Sequence, residues 1–204
     1  MSSTIGILIF DDAEELDFVG PWEVFTMSNE AREHLKDATA KDRVLTVSQN
    51  GGAVKCAKGM RVIADHSFAD CPPLDVLLIP GGEGTRREAQ NPAMLEWMAS
   101  TAAKCAWVTS VCTGSLLLTE AGPAVGKRVT THWAFVDALT ERGKATVLKN
   151  VRYVRDGNVV TAAGVSAGID MALWLTGQMH GAAHARTTQR LMEYDPAPPY
   201  AAEV

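Results

Sequence analysis

No apolar run in this 204-residue sequence approaches the roughly 18 residues that a membrane span needs. Its first residues, Met-Ser-Ser-Thr before Ile5–Phe10, lack the basic segment and cleavage site of a secretory signal, so a cytoplasmic location is expected. Basic residues are scarce: 19 Lys and Arg stand against 24 Asp and Glu, a net charge of −5. A protein that grips a phosphate backbone carries a basic face, so neither nucleic acid nor a membrane surface is an expected partner. The four cysteines, Cys56, Cys71, Cys105 and Cys112, form no C-x-x-C pair, which excludes a zinc knuckle and a thioredoxin-type motif. The G-x-G-x-x-G fingerprint and the Walker Gly-Lys-Ser/Thr are missing, and no nucleotide cofactor is expected. His180 and His184 have helical i, i+4 spacing, but no third ligand is evident and no metal is expected. His34 and His66 carry no signal.

What is present is ordinary for a globular core, with 47% hydrophobic and 21% charged residues. Continuous apolar runs at Ile5–Phe10, Val44–Val47, 75–80 and 106–111 read as strands buried on both faces of a parallel sheet. Residues 53–64 read as short, partly exposed strands. Asp156-Gly157-Asn158 between Val151–Arg155 and Val159–Ala162 predicts a hairpin. Helices are expected from Gly20-Pro21, where Pro suits the first helical position, and from Asn91-Pro92. Others follow at Ser115–Ala121, at Trp133–Glu141, from Gly164–Gly168 through Ile169, Ala172, Leu173 and Leu175, and at His184–Tyr194. Strand and helix alternate without repeat or linker. That pattern predicts a single α/β domain over residues 1–204, a mostly parallel sheet with helices on both faces.

Chemistry gathers around 106–122, Ala-Trp-Val-Thr-Ser-Val-Cys-Thr-Gly-Ser-Leu-Leu-Leu-Thr-Glu-Ala-Gly. A β-branched run, a tight turn and a helix are the setting of a nucleophile elbow, with Cys112 as nucleophile and Gly114 where backbones must pass closely. Free N–H groups of the new helix would lower the thiol pKa and favour the thiolate. In such a sheet, ligands bind outside the carboxyl ends of the strands. One of these ends carries Asp17, between Leu16 and Phe18 in an acidic loop whose Asp11, Asp12, Glu14 and Glu15 read as a solvated turn. Folded over the sheet edge, Asp17 would meet Cys112, and a carboxyl beside a thiolate has a raised pKa suited to moving protons near neutrality. Gly81-Gly82 is either a turn or an oxyanion-type cradle of backbone N–H groups. His132 is either a base for Cys112 or a helix-start residue packed by Trp133. Gly164–Gly168 reads as close helix–sheet packing, with Val165 or Ser166 lining the pocket.

Leu16-Asp17-Phe18-Val19-Gly20-Pro21-Trp22-Glu23-Val24-Phe25, Ile79-Pro80-Gly81-Gly82, Ser110-Val111-Cys112-Thr113-Gly114 and Thr131-His132-Trp133 together resemble the DJ-1/PfpI superfamily. Residues 67–75, 108–116, 130–134, 167–170 and 194–200 are more specifically similar to the bacterial isocyanide hydratases. The resemblance implies a flavodoxin-like sandwich, a homodimer, a strained elbow Cys112 and an acidic residue, Asp17, hydrogen-bonded to it. PfpI-like proteases carry His directly after the Cys; Thr113 stands here, against peptidase or deglycase activity. Some AraC-type regulators share the Asp beside a DNA-binding domain, for which 204 residues are expected to leave no room.

The resulting expectation is a lyase that hydrates an isocyanide to an N-substituted formamide. Cys112 attacks, Asp17 moves protons, and Thr113 with N–H groups near Gly82 holds the intermediate. Val165, Trp133 and the Gly81–Thr85 loop set substrate size. The alternatives are Cys–His hydrolysis or glyoxalase-type chemistry through His132, and a non-catalytic sensor in which Cys112 is oxidised.

Overall fold

Ile5, Ile7 and Leu8 are buried because helices cover both faces of their strand, as an unbroken apolar run requires. That strand, β1 (Thr4–Leu8), lies inside a seven-stranded sheet in the computed structural model, which describes residues 2–196. Residues 197–200 of the 194–200 similarity fall outside the described residues. On either side of β1, β2 (Arg43–Ser48) and β6 (Val76–Ile79) run parallel to it. Next to β6 come β7 (Trp107–Val111) and then β11 (Val159–Ala162), also parallel. Antiparallel β10 (Tyr153–Asp156) forms one edge and β5 (His66–Ser67) the other. Two small pairs stand apart: the antiparallel hairpin β3 (Gly52–Lys55) with β4 (Arg61–Ala64), and β8 (Arg128–Val129) with β9 (Thr146–Val147). The fold is flavodoxin-like α/β.

Helices α1 (Glu15–His34), α6 (Ala167–His180) and α7 (Ala182–Leu191) pack as one group. A second group joins α2 (Thr85–Glu88), α3 (Pro92–Ala102) and α4 (Gly114–Ala121). The Asn91 side chain caps α3, accepting from Met94 N–H, and Met94 and Met98 bury its apolar face. A 3-10 turn at Trp133–Phe135 leads into α5 (Val136–Glu141).

Two expectations need correction. Helix α1 begins at Glu15, not at Pro21, which lies inside it and forgoes one helical hydrogen bond. Gly20-Pro21 instead serves the crossing with α6: a Cβ on Gly20 would lie 2.9 Å from Ile169, and one on Gly168 would lie 3.3 Å from Pro21. Glu15 and Asp17 occupy the first turn, where the helix dipole favours negative charge. The acidic loop is also no freely solvated turn. Asp11 Oδ1 accepts from Lys55 N–H at 2.8 Å, Glu15 Oε1 from Lys58 N–H at 2.7 Å, and Glu14 pairs with the Lys58 ammonium. These bonds tie the loop to the β3–β4 hairpin.

Candidate active site

Because β1, β6, β7 and β11 are parallel, their carboxyl ends deliver the loops at 9–14, 80–84, 112–113 and 163–166 to one edge of the sheet. Cys112 stands where β7 gives way to α4, with φ at +55°, a conformation that a non-glycine residue rarely adopts. Its neighbours over-determine that strain. Cys112 N–H reaches Ala163 O at 2.9 Å and Ala162 O at 3.1 Å. Its carbonyl accepts from the buried hydroxyls of Thr131 at 2.9 Å and Ser115 at 3.2 Å. Gly114 is obligatory, since a Cβ there would lie 2.3 Å from Ile79 O. A Cβ on Gly81 would lie 2.5 Å from Thr113 N and 2.8 Å from Cys112 Cβ. The elbow and the glycine turn are therefore in backbone contact.

Asp17, fully buried in the first turn of α1, lies against this turn. Its Oδ2 accepts the Gly81 N–H at 2.8 Å, while the buried Oδ1 has no partner of full hydrogen-bonding geometry. The Cys112 thiol is close enough to bear on its ionisation. Burial, opposed by the Gly81 N–H and reinforced by Glu14, raises the Asp17 carboxyl to about 7. The sulfur departs from expectation: burial and then the Asp17 charge push Cys112 up to about 12. The N–H groups of Thr113 and Val165 and the Thr113 side chain do favour the thiolate, as the helix start predicts, but they are outweighed. Since the two groups share one buried site, the first ionisation, near 7, leaves one proton and one negative charge between them. Burial likewise raises Cys105 to about 12 and Cys56 to about 11. Cys112 is as buried as Cys105, but it lines a cleft of about 480 Å³.

The other anticipated residues divide. The Gly81 and Gly82 N–H groups are engaged inside the protein, on Asp17 and on Thr113 Oγ1 at 3.0 Å. Their role as an open cradle is thus replaced: the backbone N–H groups directed at the sulfur belong to Thr113 and Val165. Val165, with φ at +47°, is a strained β-branched residue lining the same cleft. His132 lines it as well, packed so tightly on Gly164 that a Cβ there would meet its ring at 2.3 Å. His132 Nδ1 accepts from Ala134 N–H at 3.3 Å, which leaves the ring proton on Nε2, and the ring makes no hydrogen bond to Cys112. Trp133 is 72% exposed and lines an adjoining hollow of about 590 Å³ that shares His132 and Val165. Sequence reasoning missed Glu14, Lys58, Arg86 and Phe135, which surround the mouth and wall of the cleft. Only tertiary structure brings them together.

Among the described residues, no group of three or more His, Cys, Asp or Glu side chains is placed to hold a metal ion. His180 Nε2 meets Asp42 at 2.6 Å and its ring meets the Arg32 guanidinium at 3.2 Å; His184 Nε2 meets Ser28 at 2.8 Å. Both histidines therefore belong to a largely buried cluster in which α1, α6 and α7 meet Asp42, just before β2.

Comparison with known proteins places this geometry. The chain is 40% identical over 200 residues to the isonitrile hydratase of Pseudomonas putida, covering 98% of this chain and 82% of that protein. The glutathione-independent glyoxalase DJR-1.2 of Caenorhabditis elegans is 27% identical over 181 residues, 88% of this chain and 89% of that one. A crystal structure of a ThiJ/PfpI family protein from Pseudomonas syringae superposes with a TM-score of 0.88 at 32% identity, covering 100% of this chain and 80% of that one. Drosophila melanogaster DJ-1beta shares the fold, with a TM-score of 0.81 at 21% identity over 96% of this chain and all of the other. With residues 3–178 matching the family model as well, the chain belongs to the DJ-1/PfpI family.

Proposed function

We propose that this protein is an isocyanide hydratase, converting R–N≡C and water to the formamide R–NH–CHO by cysteine nucleophilic catalysis. The observation that carries the reading is the Asp17 carboxyl. It is fully buried, held through one oxygen by Gly81, and its other oxygen is left without a full partner close to Cys112, the residue that lines the cleft. Such a group can carry one proton back and forth at neutral pH. The 40% identity to an isonitrile hydratase supports the same reading.

In the first step, sulfur attacks the terminal isocyanide carbon as Asp17 takes the thiol proton. Asp17 then delivers that proton to the same carbon, giving a thioimidate, R–N=CH–S–Cys112. Water next adds its oxygen to this carbon, Asp17 taking one water proton and passing it to the nitrogen, which gives R–NH–CH(OH)–S–Cys112. As the C–S bond breaks, Asp17 takes the hydroxyl proton and returns it to sulfur, and the formamide leaves. Thr113 and the N–H groups of Thr113 and Val165 stabilise negative sulfur at each departure. The reaction runs without redox change, and proton transfer by one carboxyl suffices for it.

A Cys–His version is not favoured, because the Ala134 N–H occupies His132 Nδ1 and the ring has no bond to the sulfur. We also propose that the protein pairs with a second copy; exposed Ile63 and Met60 on the β3–β4 hairpin are apolar surface that pairing would cover. Sedimentation equilibrium at micromolar concentration tests this, and a monomer overturns it. For the reaction, purified protein is incubated with alkyl isocyanides while formamide absorbance is followed. Turnover that is lost in Cys112→Ala is expected; no turnover with Cys112 reduced and unmodified removes the reading.

A further inference from the structure

Arg86 lies outside the proton-transfer path, yet its guanidinium joins the two walls of the cleft. We propose that Arg86 is a positioning residue for the Asp17–Cys112 pair, acting through the Gly81-Gly82 turn and Phe135. Its Nη1 donates to Gly82 O at 3.1 Å, and its Cζ lies 4.8 Å from the centre of the Phe135 ring. Gly82, at φ +115°, presents that carbonyl on one side, while its N–H bonds Thr113 Oγ1 at 3.0 Å. One peptide away, Gly81 N–H holds Asp17 Oδ2 at 2.8 Å. Gly82 O also accepts from the Thr85 hydroxyl at 2.7 Å and the Thr113 hydroxyl at 3.2 Å. Of these donors only Arg86 is charged, and charge-assisted bonds are about twice as strong as neutral ones. Its contact with Glu83 is loose, at 3.7 Å to a side chain 84% exposed, so the turn, the Thr85 hydroxyl at 3.3 Å and the ring are its effective partners.

The chemistry demands arginine. A planar guanidinium can lie over an aromatic face while its edge donates to a carbonyl; a lysine ammonium is a point charge on a flexible stem and fixes neither orientation. Removing the fork frees the Gly81-Gly82 turn to drift from Asp17. The carboxyl then loses part of the N–H bond that favours its ionised form.

The test compares wild type with Arg86→Lys and Arg86→Ala in two assays. The first is the pH dependence of Cys112 alkylation by iodoacetamide, which needs no isocyanide and so survives failure of the hydratase reading. The second is kcat and KM for hydration, which rests on that reading. Both variants are expected to move the alkylation midpoint upward and to slow alkylation at pH 7 by about threefold, with kcat falling while KM stays within about threefold. A wild-type midpoint in Arg86→Lys overturns the proposal, because charge alone then suffices. An unmoved midpoint in Arg86→Ala, or a rise in KM with kcat intact, overturns it too, the latter by making Arg86 a substrate contact. Near-ultraviolet circular dichroism identifies a misfolded alanine variant, and the lysine variant then decides.

Discussion

A carboxyl that ionises near 3.8 in an unfolded chain and near 7 beside Cys112 weakens the fold as pH rises between those values, because the native state then holds the extra proton. At about 1.4 kcal/mol per pH unit, Asp17 costs about 4 kcal/mol by pH 8. Asp17→Asn keeps an oxygen for the Gly81 N–H and removes that cost. Urea unfolding should show it more stable than wild type at pH 8, by up to about 4 kcal/mol, and nearly equal at pH 4. An equal difference at both pH values would contradict the ionisation argument. The same variant should lose turnover, and the alkylation midpoint near 7 should vanish, leaving Cys112 reactive only in alkali. The sequence singled out Asp17 because apolar neighbours anchor it. It also predicted a lowered Cys112 pKa from the helix start; how deeply the sulfur is buried depends on Gly81, Thr113 and Val165, which no local pattern brings together.

At the level of elements, the elbow is a junction of β6, β7 and α4 held at backbone distance. A Cβ on Gly114 would meet Ile79 O at 2.3 Å, and neither backbone can yield. Gly114→Ala is expected to lower stability by about 3 kcal/mol or more, or to prevent soluble expression, since overpacking here has no flexible side chain to absorb it. Thr131→Val is subtler, keeping shape while removing the hydroxyl that holds Cys112 O at 2.9 Å. Ser115 still serves that carbonyl at 3.2 Å, so a loss of about 1 kcal/mol in thermal unfolding is expected. A drop in kcat of about tenfold should accompany it, equivalent to about 1.4 kcal/mol of misplacement in the transition state. A stable Thr131→Val enzyme of unchanged kcat would show that the strained peptide needs only one hydroxyl. Most strands and the elbow were legible from apolar runs bounded by turn residues. The start of α1 was not, because Gly20-Pro21 has the local signature of a helix beginning and is used for a crossing with Ile169 on α6, nearly 150 residues later.

Across the whole molecule, the helix group whose α1 begins at Asp17's turn also holds a buried ionic cluster that spacing alone could not reveal. His180 and His184 read as a weak metal pair; their partners, Asp42 and Ser28, lie 138 and 156 residues away. Arg32 on α1, only 3% exposed, bonds Asp42 and Asp37 and meets the His180 ring, while the ring centres of His180 and His184 are 5.1 Å apart. His184 on α7 faces this assembly, and burial, His180 and Arg32 lower its pKa below the ordinary 6.5. A histidine lowered in the folded state binds its proton more readily when unfolded. Its contribution is therefore complete above 6.5 and is lost as pH falls through that value toward the native pKa. Asp42, held below the usual carboxylate range by His180, the Ser3 N–H and Arg32 against the opposing effect of burial, stays ionised through that window. Loosening should therefore begin at α7 while the sheet and elbow hold. Hydrogen exchange at pH 5.5 against pH 7.5, corrected for intrinsic rates, should show protection falling over residues 182–191 before residues 107–121. His184→Gln, which can still bond Ser28 but cannot gain a proton, should abolish the difference between the two pH values; if α7 loosens equally in that variant, another group drives the change.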